Sequence, residues 1–156
     1  MGRIGRTVAD ALIHFDIAYV GLERDQRRLR EAIADGYSAS FGDATDIRLW
    51  ESLELHSRKI SVLTAPKLES VTTNSPVAIA QYPNLKRVAA AASESEAEQF
   101  RRIGVQAVVE GGSPHGSHIA TAVLRELGCD ATKIAACMQQ LGERIAAKAA
   151  PIPVAA

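Results

Sequence analysis

The chain has 156 residues, 47% of them hydrophobic and 23% charged, which suits one globular domain with a core and a short appendage. Its 18 Lys and Arg balance 18 Asp and Glu, so there is no electrostatic reason to expect nucleic acid or an anionic bilayer surface as partner. Apolar runs stop at about five residues, as in Val88–Ala92, where a membrane span needs about twenty, and the start lacks the apolar stretch of a signal peptide.

The elements alternate. Thr7–His14 carries Val8, Ala11 and Leu12 at helical spacing. "DIAYVGLE" (16–23) is a β-branched and aromatic run ending in acid, the pattern of a buried strand. Asp25–Asp35 reads as a charged helix capped by Asp25 and stopped by Gly36. "YSASFGDA" is a short strand closing in a glycine turn, and Asp46–Leu55 a helix with Trp50 on its buried side, in the core or at a dimer contact. "KISVLTA" is a strand. Leu68–Gln81 has helical patches, and Pro76 is expected to kink the helix or start a new one. "LKRVAAAA" is a strand by position. Ser93–Ile103 is a helix with a capping box, Ser93 and Glu96. "VQAVVE" is a strand, Ser117–Leu127 a helix ended by Gly128, and Asp130 starts an Ala-rich helix to about Lys148, which packs on the domain or on a second subunit. "PIPVAA" reads as disordered. Such alternation demands right-handed crossovers and a doubly wound, mostly parallel α/β sheet.

Three stretches carry chemistry. In "MGRIGR", Gly2 and Gly5 have the spacing of the last two glycines of G-x-G-x-x-G and lead into a helix, whose free amides and dipole favour phosphate; Arg3 adds a charge-assisted bond. A helix start with two glycines has the same appearance. Glu23, 18 residues after Gly5 by their numbers, ends the next strand, where a carboxylate accepts ribose hydroxyls and repels a 2′-phosphate. Arg24 beside it can receive that phosphate. The third stretch, "FGDATD" (41–46), is a strand-to-helix turn beside the expected adenine pocket. His115 and His118 are three apart, yet no third ligand has suitable spacing for zinc. Cys129 and Cys137 lack C-x-x-C spacing and read as reduced cytosolic thiols.

In this order, "GRIGR … VGLERD … GDATD … NLKRVAAAASESEAEQFRRIGVQAVVEG" resembles the cytosolic nucleotide-binding domain of potassium transport systems, the RCK, KTN or TrkA-N domain, in its Kef-type efflux antiporter form. The resemblance covers about residues 1–128, leaving 129–156 as a C-terminal helix and tail. It implies a Rossmann-like fold. It assigns phosphates to Gly2, Arg3, Ile4 and Gly5, ribose to Glu23, the adenine border to Gly42, Asp43 and Ala44, and a further ligand border to Thr64 and Ala65. It also implies NAD(H), AMP or ATP as ligand, a homodimer with Ser93–Ile103 as candidate interface, no catalysis, and a cytoplasmic place beside an inner-membrane transport protein.

The chain also departs from the family pattern. The family's first strand and first glycine are absent, and Met1 takes the variable position between glycines. Pro66 and Lys67 stand where acids are common, Val71 where an asparagine is usual, and Pro76 interrupts that helix, so glutathione sensing is not carried over. In the family's 3-2-1-4-5-6 sheet the first strand is central, so its absence predicts two edges facing a gap of about 10 Å and a natural polypeptide that begins upstream. Two rivals stand beside this reading. One is an oxidoreductase fragment, for which the residues after Gly111 are too few to form a substrate domain. The other is a degenerate domain that only dimerises.

Overall fold

The computed structural model describes residues 1–110 and 115–149. The elements run α1 (Arg3–His14), β1 (Gly21–Glu23), α2 (Gln26–Ala34), β2 (Ala39–Phe41), α3 (Leu49–Ser52), a 3-10 turn (Leu55–Ser57), β3 (Ile60–Leu63), α4 (Leu68–Gln81), β4 (Lys86–Ala91), α5 (Glu94–Arg102), β5 (Gln106–Val109), α6 (Ser117–Glu126) and α7 (Ala131–Ala149). Every strand pairing is parallel, as the alternation requires.

The strands form two sheets, β1–β2 and β3–β4–β5, with no ladder between β1 and β3 among the described residues. The division falls where the expected gap lies. Both strands bordering it, β1 and β3, are only half-buried along their whole length, whereas Val88–Ala91 of the central β4 is buried throughout.

Strand β4 organises the core by the alternation of its side chains. Val88 and Ala90 face a cluster built from Val8, Leu12, Ile119, Leu124, Ile134 and Leu141, which puts α1, α6 and α7 on that side. Ala89 and Ala91 face Val71, Ala97 and Phe100, which puts α4 and α5 on the other. Helix α7 therefore packs on its own domain. The described helices include none long and apolar enough to cross a membrane.

Local sequence signals account for the helix ends. The Asp25 carboxylate accepts from the Arg28 amide at 3.0 Å, and the Asp130 carboxylate from the Lys133 amide at 2.9 Å. The Glu96 amide donates to Ser93 Oγ at 3.2 Å while the Glu96 carboxylate accepts from the Ala92 amide at 2.6 Å. Gly36, Gly104 and Gly128 stop their helices with φ of 87°, 78° and 79°.

Three expectations need correction. The strand expected over "DIAYVGLE" keeps only Gly21–Glu23: β1 has a ladder partner on one side alone, and Ile17 and Tyr19 pack on the first cluster instead. The helix expected over Asp46–Leu55 shrinks to the single turn Leu49–Ser52 and a 3-10 turn, because Asp46 folds back on the Arg48 amide at 3.0 Å and Glu54 takes φ 53°. Of the two outcomes expected at Pro76, a kink or a new helix, no new helix starts there: α4 runs through it from Leu68 to Gln81, at the loss of one backbone rung. The "PIPVAA" tail lies outside the described residues.

Candidate functional site

Helix α1 starts at Arg3, with Gly2 in extended conformation (φ −81°, ψ −173°) as its N-cap. Its first amides therefore have no intrahelical partner and point out of the helix end. The head of this helix sits between the carboxyl ends of β1 and β3. On the β3 side, a Cβ placed on Gly5 lies 3.6 Å from Thr64 Oγ1, an ordinary contact. On the β1 side, the Met1 side chain lies against Gly21 and would have to shift to admit a Cβ there, and the Met1 ammonium pairs with the Glu23 carboxylate. Burial, then the nearby Arg28 and Arg6 guanidiniums, push that ammonium's pKa below its ordinary value. Ile4 faces the third neighbour, Gly116, whose added Cβ would come within 3.0 Å of Ile4 Cα.

The second turn of the site is built from the ends of β1 and β2. The Gly42 amide donates to the Glu23 carbonyl at 3.1 Å. A Cβ on Gly42 would press on Leu49 at 3.1 Å and on Leu22 at 3.4 Å, which explains the glycine. Asp43 folds into its own turn, its carboxylate accepting from the Thr45 amide at 2.9 Å and the Thr45 hydroxyl at 2.7 Å. Its other oxygen lies 3.7 Å from the Arg24 guanidinium. Thr45's amide, then its hydroxyl, and Arg24 hold the Asp43 carboxyl below the usual carboxylate range. The Ala44 carbonyl accepts from Trp50 Nε1 at 3.2 Å, and Trp50 is buried.

Of the residues singled out in the sequence, Gly2, Arg3, Ile4, Gly5, Glu23 and Thr64 converge at the head of α1. Arg24, Gly42, Asp43 and Ala44 form the adjoining β1–β2 rim, and Ala65 follows Thr64 at the end of β3. Several neighbours had not been singled out. Asn74 of α4 donates to the Thr45 carbonyl at 3.0 Å and ties the "GDAT" turn to the helix after β3. Arg6 pairs with Asp35 and lies over the Tyr37 ring, 5.3 Å from its centroid. Arg27 and Arg28 of α2 line one open cavity of about 690 Å³ together with Met1, Gly2, Arg3 and Arg6. The basic residues of Asp25–Asp35 were visible as a charged helix, but only the fold turns them toward α1. His118 Nδ1 lies 3.2 Å from the Val109 carbonyl.

The TrkA-N domain family model matches residues 1–111. The chain belongs to the TrkA-N family. This TrkA-N chain is 24% identical over 139 residues to a putative K(+) efflux antiporter KefB of Alkalimonas amylolytica, a match covering 89% of the chain and 21% of that relative. It therefore spans about a fifth of the length of the curated relative. Among solved structures it resembles the TrkA-N domain of inner membrane protein ybaL from Escherichia coli, with TM-score 0.62, 26% identity, and coverage of 80% of this chain and 89% of that one. The Kef C-terminal domain of Shewanella denitrificans in AMP-bound form shares the fold at TM-score 0.62 and 21% identity, covering 95% and 90% of the two chains. The Rossmann-like α/β fold expected from the sequence is thus that of the family.

Proposed function

We propose that this TrkA-N chain is a regulatory nucleotide-binding module of a potassium efflux system, with no catalysis of its own. The observation that carries the reading is the placement of the glycine-flanked head of α1 between Glu23 at the end of β1 and Thr64 at the end of β3. In an open α/β sheet, ligands bind outside the carboxyl ends of the strands. There the α1 amides and Arg3 receive phosphate, Glu23 receives ribose hydroxyls, and the Gly42–Ala44 rim with Thr64 and Ala65 borders the base. This donor set fits an adenine nucleotide, NAD(H), AMP or ATP. The module acts as a homodimer, with the Ser93–Ile103 helix region as candidate interface, on the cytoplasmic side of a potassium-transporting membrane domain or subunit. Regulation requires only that the nucleotide bind one dimer arrangement better than another.

The test is a panel of thermal shifts with NAD, NADH, NADP, AMP and ATP on the chain and on Glu23→Ala. A ligand at a hundred times its dissociation constant adds about 2.7 kcal/mol. The reading expects such a shift with at least one adenine nucleotide and its loss in the variant. Absence of any shift, or a shift that Glu23→Ala leaves intact, contradicts it.

A further inference from the structure

The Gly42–Ala44 rim follows β2 and so belongs to the two-stranded sheet, which shares no ladder with the three-stranded one among the described residues. Bonds from Thr45 back to the Asp43 carboxylate fix the shape of this turn but not its place in the molecule. Its start is fixed to β1 through the Gly42 amide. Its far end is held by two side chains from elsewhere. Trp50 Nε1 donates to the Ala44 carbonyl at 3.2 Å, and Asn74 Nδ2 donates to the next carbonyl, that of Thr45, at 3.0 Å. Ala44 and Thr45 are themselves exposed, so little packing holds them and these bonds set their position. Both ties end on the larger sheet. Asn74 lies on α4, which packs on β4 through Val71. Trp50 is buried and meets the ring of Tyr82, the C-cap of α4, edge to face with centroids 6.1 Å apart. The Tyr82 carbonyl in turn accepts from Arg87 of β4 at 2.7 Å. An indole suits this place because its ring packs while its N–H bonds; a phenyl ring would pack there and leave the carbonyl unheld.

We infer that Trp50 and Asn74 are the positioning residues of the base-binding edge. They act through the Ala44 and Thr45 carbonyls rather than on the ligand, and tie the rim of the smaller sheet to α4, so that the base meets an edge already in place. The inference rests on the nucleotide-binding reading above and deepens it. A turn left loose has to be ordered by the ligand, which weakens binding of the base and leaves the phosphate and ribose contacts at α1 and Glu23 as they are.

The experiment is calorimetric titration of the full chain, of Trp50→Phe and of Asn74→Ala with AMP, ATP and NAD, and with ribose 5-phosphate, which lacks the base and is read directly or by its displacement of the nucleotide. Each variant should weaken the tightest-binding nucleotide by about three- to tenfold, the worth of one neutral hydrogen bond, and leave ribose 5-phosphate within about twofold. Emission of the chain's one tryptophan should change with the nucleotide and not with ribose 5-phosphate. Circular dichroism checks that the variants fold, and if Trp50→Phe does not, Asn74→Ala decides. Equal weakening of nucleotide and ribose 5-phosphate, a folded variant that binds the nucleotide as the unaltered chain does, or an emission blind to the nucleotide overturns the inference and leaves the nucleotide reading standing. Binding of none of the three nucleotides to the unaltered chain overturns the reading and the inference together.

Discussion

Gly116 and Gly128 bracket α6 at its two ends with nearly the same left-handed backbone, φ 77° and 79°. Replacing either with alanine forces an L-residue into that region at about 1–2 kcal/mol. Only one of them touches the candidate site. A Cβ on Gly128 meets nothing within 4 Å, whereas one on Gly116 lies 3.0 Å from Ile4 Cα and 3.1 Å from Ile4 Cγ2. The obstacle at Gly116 is backbone, so α1 must shift by a few tenths of an ångström or the new methyl remains overpacked, at about a further 1–3 kcal/mol. Urea unfolding should therefore show Gly116→Ala destabilised by about 2–5 kcal/mol and Gly128→Ala by about 1–2. Nucleotide affinity should fall in the first variant, because Ile4 belongs to the head of α1, and stay unchanged in the second. Equal losses of stability, or an unchanged affinity in Gly116→Ala, would refute the claim that the start of α6 buttresses the N-terminal end of α1.

Other outcomes follow from single contacts. The Tyr37 phenol is pushed up to about 12, first by burial and then by the charge and hydrogen bond of Asp10, 3.0 Å away. The fold favours the neutral phenol, so this contribution is whole below pH 10 and is lost as pH rises toward about 12. Spectrophotometric titration should find one of the three tyrosines ionising late, and Tyr37→Phe should remove both that step and the matching slope in stability. Phe100 is fully buried between α5 and the sheet, so Phe100→Ala should lose about 3–5 kcal/mol by chemical denaturation. Asn74→Ala removes the bond to the Thr45 carbonyl and should cost about 1 kcal/mol, with faster amide exchange confined to residues 43–46.

What the sequence discloses is largely what local chemistry decides. Asp25, Ser93 and Asp130 each cap a helix within three residues of themselves, and Gly36, Gly104 and Gly128 stop helices through their own φ. The parallel alternation follows from the order of elements, whereas the division of the sheet between β1 and β3 was expected only from the strand order of the family that the sequence resembles. Contacts between distant segments were not legible. The Asn74–Thr45 and Arg6–Asp35 pairs each join residues 29 apart, and nothing in either segment marks its partner. Strand length was overestimated for β1 because β-propensity describes side chains, whereas the strand extends only as far as its single neighbour β2 pairs with it. At the site, the glycine spacing and Glu23 stood out because the dinucleotide-binding fingerprint sets fixed offsets between its glycines and its acid. The arginines of α2 were not, since a charged helix face in sequence is normally a solvated one.

The measurement that tests the central claim most directly is the amide shift map of this chain titrated with AMP. The account predicts that perturbed signals gather at residues 2–6, 22–24, 42–45 and 64–65, the head of α1 and the strand ends beside it. Shifts gathered elsewhere, such as the shallow hollow of Glu94, Glu98 and Arg102 on the exposed side of α5, or a spectrum that AMP leaves unchanged at saturating concentration, would contradict it.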